Sequence, residues 1–333
     1  MEKPKVSLLW INYNSSRILS YILDSLKSML NQDYSNYEII VLDNNSTDGS
    51  WEKIKEYLLS SAYELIKKGI VKLVRSPMNI GYNDGVNLAY LYSDPRSRYV
   101  TIINNDAKLS TDYISYQVDF LEKNRSCGAV QGIILKWSSN VIDSTGFYID
   151  KELIFYPIHR VVDINSYDYV VVSHVEGTTP FYRVEALRKS MTGRYIFLPE
   201  TFIQWFDGVF VGRMLWRRGY KSVLLTQVLA RHRREATVGQ IKKVSPVFGY
   251  FKTRNKLAFI LLSDIPGKYY LVLKILRRTL YHGSIPRKYV LRAFCDAFSF
   301  SRRAKRKYRL RIEVFHGPLV VRIGRELRVV FYK

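Results

Sequence analysis

Apolar residues along this chain fall into short runs, and each run stops at a cluster of Asn, Asp, Ser or Gly. Residues 5–13 (KVSLLWINY), 37–42 (YEIIVL), 71–75 (VKLVR) and 100–103 (VTII) are rich in apolar and β-branched residues and read as buried strands. Between the first two, Ile18, Leu19, Ile22, Leu26 and Leu30 recur at helical spacing, and further helices are expected over residues 51–59 and 84–92. Four successive β-α units predict an α/β fold, a mainly parallel sheet with helices on both faces. Farther along, residues 222–229 (SVLLTQVL) read as another strand. Residues 257–262, 269–280 and 289–300 read as amphipathic helices, with short strands over 309–314 and 319–332.

Ligands of open α/β sheets sit outside the carboxyl ends of the strands, so the polar clusters that end the runs are the candidate chemistry. They are Asn12-Tyr13-Asn14, Asp43 to Ser50, Asn79-Ile80-Gly81 and Asn104-Asn105-Asp106. The Asn104-x-Asp106 oxygens suit a hard divalent cation carrying phosphates, and their plainer reading is an Asx turn. Asp48 and Ser50 are expected to cap the helix near Trp51, whereas Asp43 lies too far upstream for that task. A dinucleotide-binding Rossmann domain needs glycines in its first turn, and residues 12–16 contain none, which argues against hydride transfer.

Composition narrows the picture in two ways. Hydrophobic residues make up 47% of the 333, too many for a disordered chain, and Cys127 and Cys295 stand too far apart for a zinc site or a disulfide framework. The formal charge is +23, and residues 251–333 hold 21 Lys and Arg against four acids, a net +17. A basic block of this kind points to anionic lipid or nucleic acid. No RNP, KH or helix-turn-helix pattern accompanies it, so nucleic acid is not the expected partner. Neither a signal peptide nor a membrane span is legible, and the expected location is the cytoplasm, with the basic helices able to lie on the inner face of the membrane.

The ordered series of strand-end motifs resembles glycosyltransferase family 2, a GT-A fold family, in its rhamnosyltransferase-like branch. The likeness runs on through Val175-Glu176-Gly177 with Phe181-Tyr182-Arg183, and through Trp205-Phe206-Asp207 with Arg213 and Gly219-Tyr220. His232 and Arg254-Asn255 also match, so about 250 residues are covered. The resemblance implies a Rossmann-like GT-A nucleotide-sugar-binding domain over 1–240, divided at 110/111 into a nucleotide half and an acceptor half. Residues 241–333 would form a basic helical extension.

By the same resemblance the donor is a UDP- or dTDP-sugar held by Asn12, Tyr13, Asp43, Asn79, Gly81 and Asn104. Mg²⁺ or Mn²⁺ would lie on Asp106 and His232, and the acceptor, a lipid-linked or cell-envelope glycan, near Glu176, Gly177 and Trp205. Asp207 would be the catalytic base of an inverting transfer. Asn104 departs from the family's Asp-x-Asp, and Phe206 and Val209 replace two acids around Asp207. These departures leave open a binding paralogue without catalysis, and the basic block leaves open a nucleic-acid-binding protein.

Overall fold

The computed structural model describes residues 3–191, 195–201, 207–234, 246–283, 285–308, 312, 317–323 and 326–332. Strands β1 (Val6–Asn12), β2 (Tyr37–Asp43), β3 (Val71–Arg75) and β4 (Tyr99–Asn104) alternate with helices α1 (Leu19–Leu30), α2 (Ser50–Ser61), α3 (Tyr63–Lys67) and α4 (Tyr82–Leu91). The strands pair in parallel in the order β4-β1-β2-β3. Every residue of β1 is buried, because helices cover both faces of the sheet, and this is why its sequence shows no alternation. The third β-α unit turns at Gly81, whose φ of +84° favours glycine, and α4 starts immediately after it, two residues before the expected Asp84.

The second half departs from a simple parallel sheet. It adds β5 (Ala107–Leu109), α5 (Tyr113–Lys123), β6 (Cys127–Lys136), β7 (Ile142–Ser144), β8 (Phe147–Ile149), β9 (Phe155–Pro157) and β10 (Tyr169–Val172). There follow β11 (Phe181–Arg183), α6 (Val184–Ser190), α7 (Asp207–Arg217) and β12 (Lys221–His232). The sheet continues from β4 through β11, β6 and β12 to β10, giving a mixed α/β fold. β6 and β12 are parallel, but β11 runs antiparallel to both β4 and β6. The chain enters β11 from the carboxyl edge of β4, where Asn104 N–H bonds to Thr178 O at 3.0 Å, so it can only run back down the sheet. The consequence is that residues 176–178 lie across the edge where a ligand is expected.

Among the described residues, three further helices follow, α8 (Pro246–Leu262), α9 (Lys268–His282) and α10 (Arg287–Tyr308), and then a hairpin of β13 (Gly317–Ile323) and β14 (Glu326–Tyr332). The expected helix at 257–262 is the end of the longer α8, whose apolar residues are spread too evenly for a one-sided pattern to show at its start. Leu257, Ile260 and Leu261 join the same core as Val209, Phe210 and Leu215, and Phe300 and Ala304 of α10 close over it. Among the described residues, no helix is long and apolar enough to cross a membrane.

Candidate active site

The carboxyl edge of β1 and β2 is tied together by side chains that are themselves buried. Asn12 Nδ2 donates to Asp43 Oδ1 at 2.9 Å and to the hydroxyls of Ser46 and Ser50, both at 3.1 Å. Asp43 has no exposed surface, and its other oxygen accepts from Ser46 N–H at 3.0 Å and faces Arg75 Nε at 3.3 Å. Asp43 therefore organises the loop it begins. Asp48 Oδ1 accepts from Ser50 N–H at 3.1 Å, but the cap position of α2 is Gly49 and Ser50 is the helix's first residue, so neither Asp48 nor Ser50 is the N-cap that the sequence predicts.

Asn79 is likewise engaged. Its Oδ1 accepts from Asn44 Nδ2 at 3.0 Å and from Gly81 N–H at 2.9 Å, which shapes the turn into α4. Tyr13 is half-buried beside this edge, and Asn104 Oδ1 accepts from Tyr82 OH at 2.7 Å. The sequence places Asn44 in the motif that follows Asp43 without a task of its own and does not single out Tyr82, since what an Asn or a Tyr beside a strand end touches shows only once the loops are closed.

At the end of β4 the structure brings Asp106 and His232 together. β5 pairs with the end of β12, setting Ala107 opposite His232, and His232 Nε2 lies 3.1 Å from Asp106 Oδ1. On the other side of the ring, Nδ1 lies 3.0 Å from Asp143 Oδ2. Burial works against a charged imidazole here, but the hydrogen bonds that its ring N–H groups donate to the two carboxylates outweigh it and raise the His232 pKa to about 9.

A carboxylate behind a histidine is the arrangement that orients metal-ligating imidazoles. Two donors in adjacent octahedral positions at about 2.1 Å from Mg²⁺ lie about 3 Å apart, so the Asp106–His232 spacing fits a single ion. Among the described residues no group of three His, Cys, Asp or Glu could hold a metal by itself. An ion on this pair would have to complete its shell from a diphosphate and water, as Mg²⁺ sites usually do. Nothing along the chain marks Asp143, which lies 89 positions from His232.

Arg234 links this group to the acceptor-side segment. Its Nε donates to Asp143 Oδ1 at 2.6 Å and its Nη2 to Glu176 Oε1 at 3.2 Å, while Thr178 Oγ1 donates to Glu176 Oε2 at 2.9 Å. Next to Glu176, a Cβ built on Gly177 would stand 3.1 Å from Asp207 Oδ2, so this glycine lets the backbone approach the carboxylate. Helix α7 presses onto the same stretch: Cβ atoms on Gly208 and Gly212 would come within 2.7 Å of Val175 O and 2.5 Å of His174 Cβ. Arg213 holds the contact by donating to Ser173 O at 2.9 Å.

Asp207 keeps some solvent exposure as a residue, yet its carboxyl group is enclosed, and burial pushes its pKa up to about 6. Backbone N–H groups of Asp207 and Gly208 pull the other way, and the Glu176 charge adds to the rise. Asp207 also lines a cavity of about 20 Å³, together with Asn83, Thr201, Asn255 and a mostly apolar wall, large enough for a single water. Val209, where the resemblance expects an acid, is buried in the core. Phe206 and the predicted acceptor residue Trp205 lie outside the described residues.

The segment Glu176–Thr178 thus separates the Asp106–His232 pair from Asp207, with all of them at the carboxyl edge. Residues 7–191 match the model of the family described as glycosyl transferase family 2. The chain belongs to glycosyltransferase family 2. The "putative teichuronic acid biosynthesis glycosyltransferase TuaG" of Bacillus subtilis is 31% identical over 125 residues, 38% of this chain and 44% of that one. The chain therefore matches less than half the length of this relative.

Among solved structures, S. aureus TarS 1–349 in complex with UDP-GlcNAc superposes with a TM-score of 0.53 at 14% identity, covering 99% of this chain and 97% of that one. GalNAc-T7 with UDP, GalNAc and Mn²⁺ gives a TM-score of 0.64 at 14% identity over 96% of this chain and 60% of that one. At such identities these two likenesses speak for the GT-A fold alone.

Proposed function

We propose that this family 2 protein is an inverting, metal-dependent glycosyltransferase that moves a sugar from a UDP- or dTDP-sugar to a hydroxyl of a lipid-linked or cell-envelope glycan. The observation that carries this reading is Asp207, a carboxylate with a pKa near 6 set beside Gly177 and Glu176 at the ligand edge of the sheet. Glu176 and Glu200 are the other two carboxylates that could serve as the base, and each is held by other side chains. Glu176 is bound by Arg234 and Thr178, and Glu200 by Lys307 and Tyr308, which overcome the effect of burial and lower its pKa.

In the transfer, the acceptor oxygen attacks the anomeric carbon from the side opposite the diphosphate. A new C–O bond forms as the bond to the leaving phosphate breaks, and Asp207 takes the hydroxyl proton. Asp106 and His232 would hold Mg²⁺ or Mn²⁺, which when bound supplies positive charge to the departing diphosphate. Asp143 and Arg234 fix His232 and Glu176 respectively, and the Asn12–Asp43 network sets the loops against which the nucleoside would rest. GalNAc-T7 with UDP and Mn²⁺, and TarS with UDP-GlcNAc, support a nucleotide-sugar donor. The relation to TuaG supports an envelope glycan as acceptor.

The outer face of the C-terminal helices supports peripheral association with an anionic membrane. Leu271 and Val272 of α9 are buried, while Tyr269, Tyr270, Leu273 and Tyr281 are 58–73% exposed beside exposed Arg277 and Arg278. One side therefore packs on the protein, and the other has the aromatic and basic character of an interfacial helix. The direct test of the whole reading is a screen of UDP- and dTDP-sugars, with Mn²⁺, for hydrolysis and thermal stabilisation. A donor should raise the melting temperature and be consumed, and no response to any nucleotide sugar would contradict it.

A further inference from the structure

Six positions before Asp207 in sequence, the turn at Glu200 and Thr201 is held from three directions. From α4, Asp84 Oδ2 accepts from Glu200 N–H at 3.1 Å and Asn83 Nδ2 donates to Thr201 Oγ1 at 2.7 Å. From α8, Arg254 Nη2 donates to Glu200 O at 2.6 Å and Asn255 Nδ2 to Thr201 O at 3.0 Å. From α10, Lys307 Nζ and Tyr308 OH reach Glu200 Oε1 at 3.1 and 3.2 Å, and Arg303 Nη2 lies 3.5 Å from Oε2.

Glu200 adopts φ +65°, a left-handed conformation that a glutamate rarely takes and that persists where the surroundings impose it. The clamp is itself rigid. The Arg254 guanidinium lies over Phe251 at 4.8 Å and Phe300 at 5.1 Å, and its Nε and Nη2 also donate to Asn255 Oδ1 at 3.1 and 2.8 Å. Asn83, Thr201 and Asn255 line the same cavity as Asp207. Thus the residues that fix the turn share a wall with the proposed base.

We propose that Arg254 and Asn255 are positioning residues, which with the α10 side chains latch the Glu200–Thr201 turn and so hold the cavity wall that Thr201 and Asn255 share with Asp207 in register with the acceptor. This rests on the assignment of Asp207 as the base. It gives the basic C-terminal helices a task in the reaction, separate from any contact with lipid. A displacement of about 1 Å at a reacting group costs on the order of 10²-fold in rate. Loss of the latch should therefore lower kcat and spare donor binding, which is made on the other side of residues 176–178.

The test uses the full-length protein and its Arg254→Lys, Asn255→Ala and Glu200→Gln variants. Steady-state transfer is measured with the best nucleotide sugar, and amide hydrogen exchange is followed over residues 195–201 and 207–210. Arg254→Lys keeps the charge but loses the fork, and Glu200→Gln alters a partly exposed side chain with little threat to folding. The expected result is a kcat about 10- to 100-fold lower for the first two and about 3- to 10-fold lower for Glu200→Gln, with donor KM within about 3-fold of wild type. A kcat within about 2-fold of wild type in the variants that fold overturns the proposal, and Glu200→Gln alone decides if the other two do not fold. Should the wild type transfer no sugar, the functional reading falls by itself. The latch then stands on faster exchange in both segments of the variants and falls if exchange is unchanged.

Discussion

The imidazole of His232 stands between two carboxylates, 3.1 Å from Asp106 and 3.0 Å from Asp143. Asp106 is only 6% exposed, so Asn is a milder probe of it than Ala. Asp106→Asn should erase the strengthening of UDP binding by Mn²⁺ while the fold survives. Asp143→Asn, one step removed from the ion, should weaken that strengthening by about 10- to 100-fold. Titration calorimetry of UDP with and without Mn²⁺ checks both, and unchanged affinities would remove the metal from this pair.

The same geometry makes the site sensitive to pH. Because the His232 pKa rises from 6.5 to about 9 on folding, its contribution to stability is fully present below pH 6.5 and is lost as pH climbs through about 9. The metal-free protein should therefore be less stable at pH 9.5 than at pH 6.5, by on the order of 2 kcal/mol from this residue. In His232→Gln that part of the slope should vanish. Denaturant melts of both proteins at the two pH values give the answer, and parallel slopes would show that His232 is not held between charged carboxylates.

How far the sequence could be read follows from where each contact originates. Strands β1 to β4 were legible because burial on both faces leaves an apolar run, and the strand-end polar residues then marked the edge. What those residues touch was not legible. Asp43 and Asn79 face inward to Asn12, Ser46, Asn44 and Gly81, and only the closed loops show it. The antiparallel run of β11 was hidden because a strand of three residues, Phe181-Tyr182-Arg183, carries no direction. Asp143, Asn83 and the turn at Glu200 escaped notice because their partners lie 54 to 118 positions away.

The membrane reading separates two faces of one helix. Replacing Tyr269, Tyr270 and Leu273 by Ser, or Arg277 and Arg278 by Glu, alters side chains on the exposed side of α9 and leaves Leu271 and Val272 in the core. Each set should reduce flotation with anionic liposomes, since a basic residue near such a surface contributes about 1 kcal/mol, and raised salt should act in the same direction. Equal recovery of the variants and the wild type would assign these helices to packing alone.

Burial of Asp207 has an effect on stability as well as on rate. Its carboxyl pKa is raised from 3.8 to about 6, so its contribution is fully present below pH 3.8 and lost as pH rises through about 6. At pH 8 the charged carboxylate is a burden, and Asp207→Asn should stabilise the protein by about 2 kcal/mol, allowing for partial exposure. Thermal melts at pH 8 test this. A lower melting temperature in the variant would mark Asp207 as a helix cap whose main task is structural.

The most direct measurement is kcat for Asp207→Asn against wild type, with UDP affinity measured on the same samples. Asn keeps the shape of the side chain and removes the proton acceptor, so kcat should fall by about 10²–10⁴-fold while UDP affinity stays nearly unchanged. The wild-type rate should rise with pH through about 6 as Asp207 ionises. A variant that transfers sugar at the wild-type rate per folded molecule would contradict the assignment of Asp207 as the base.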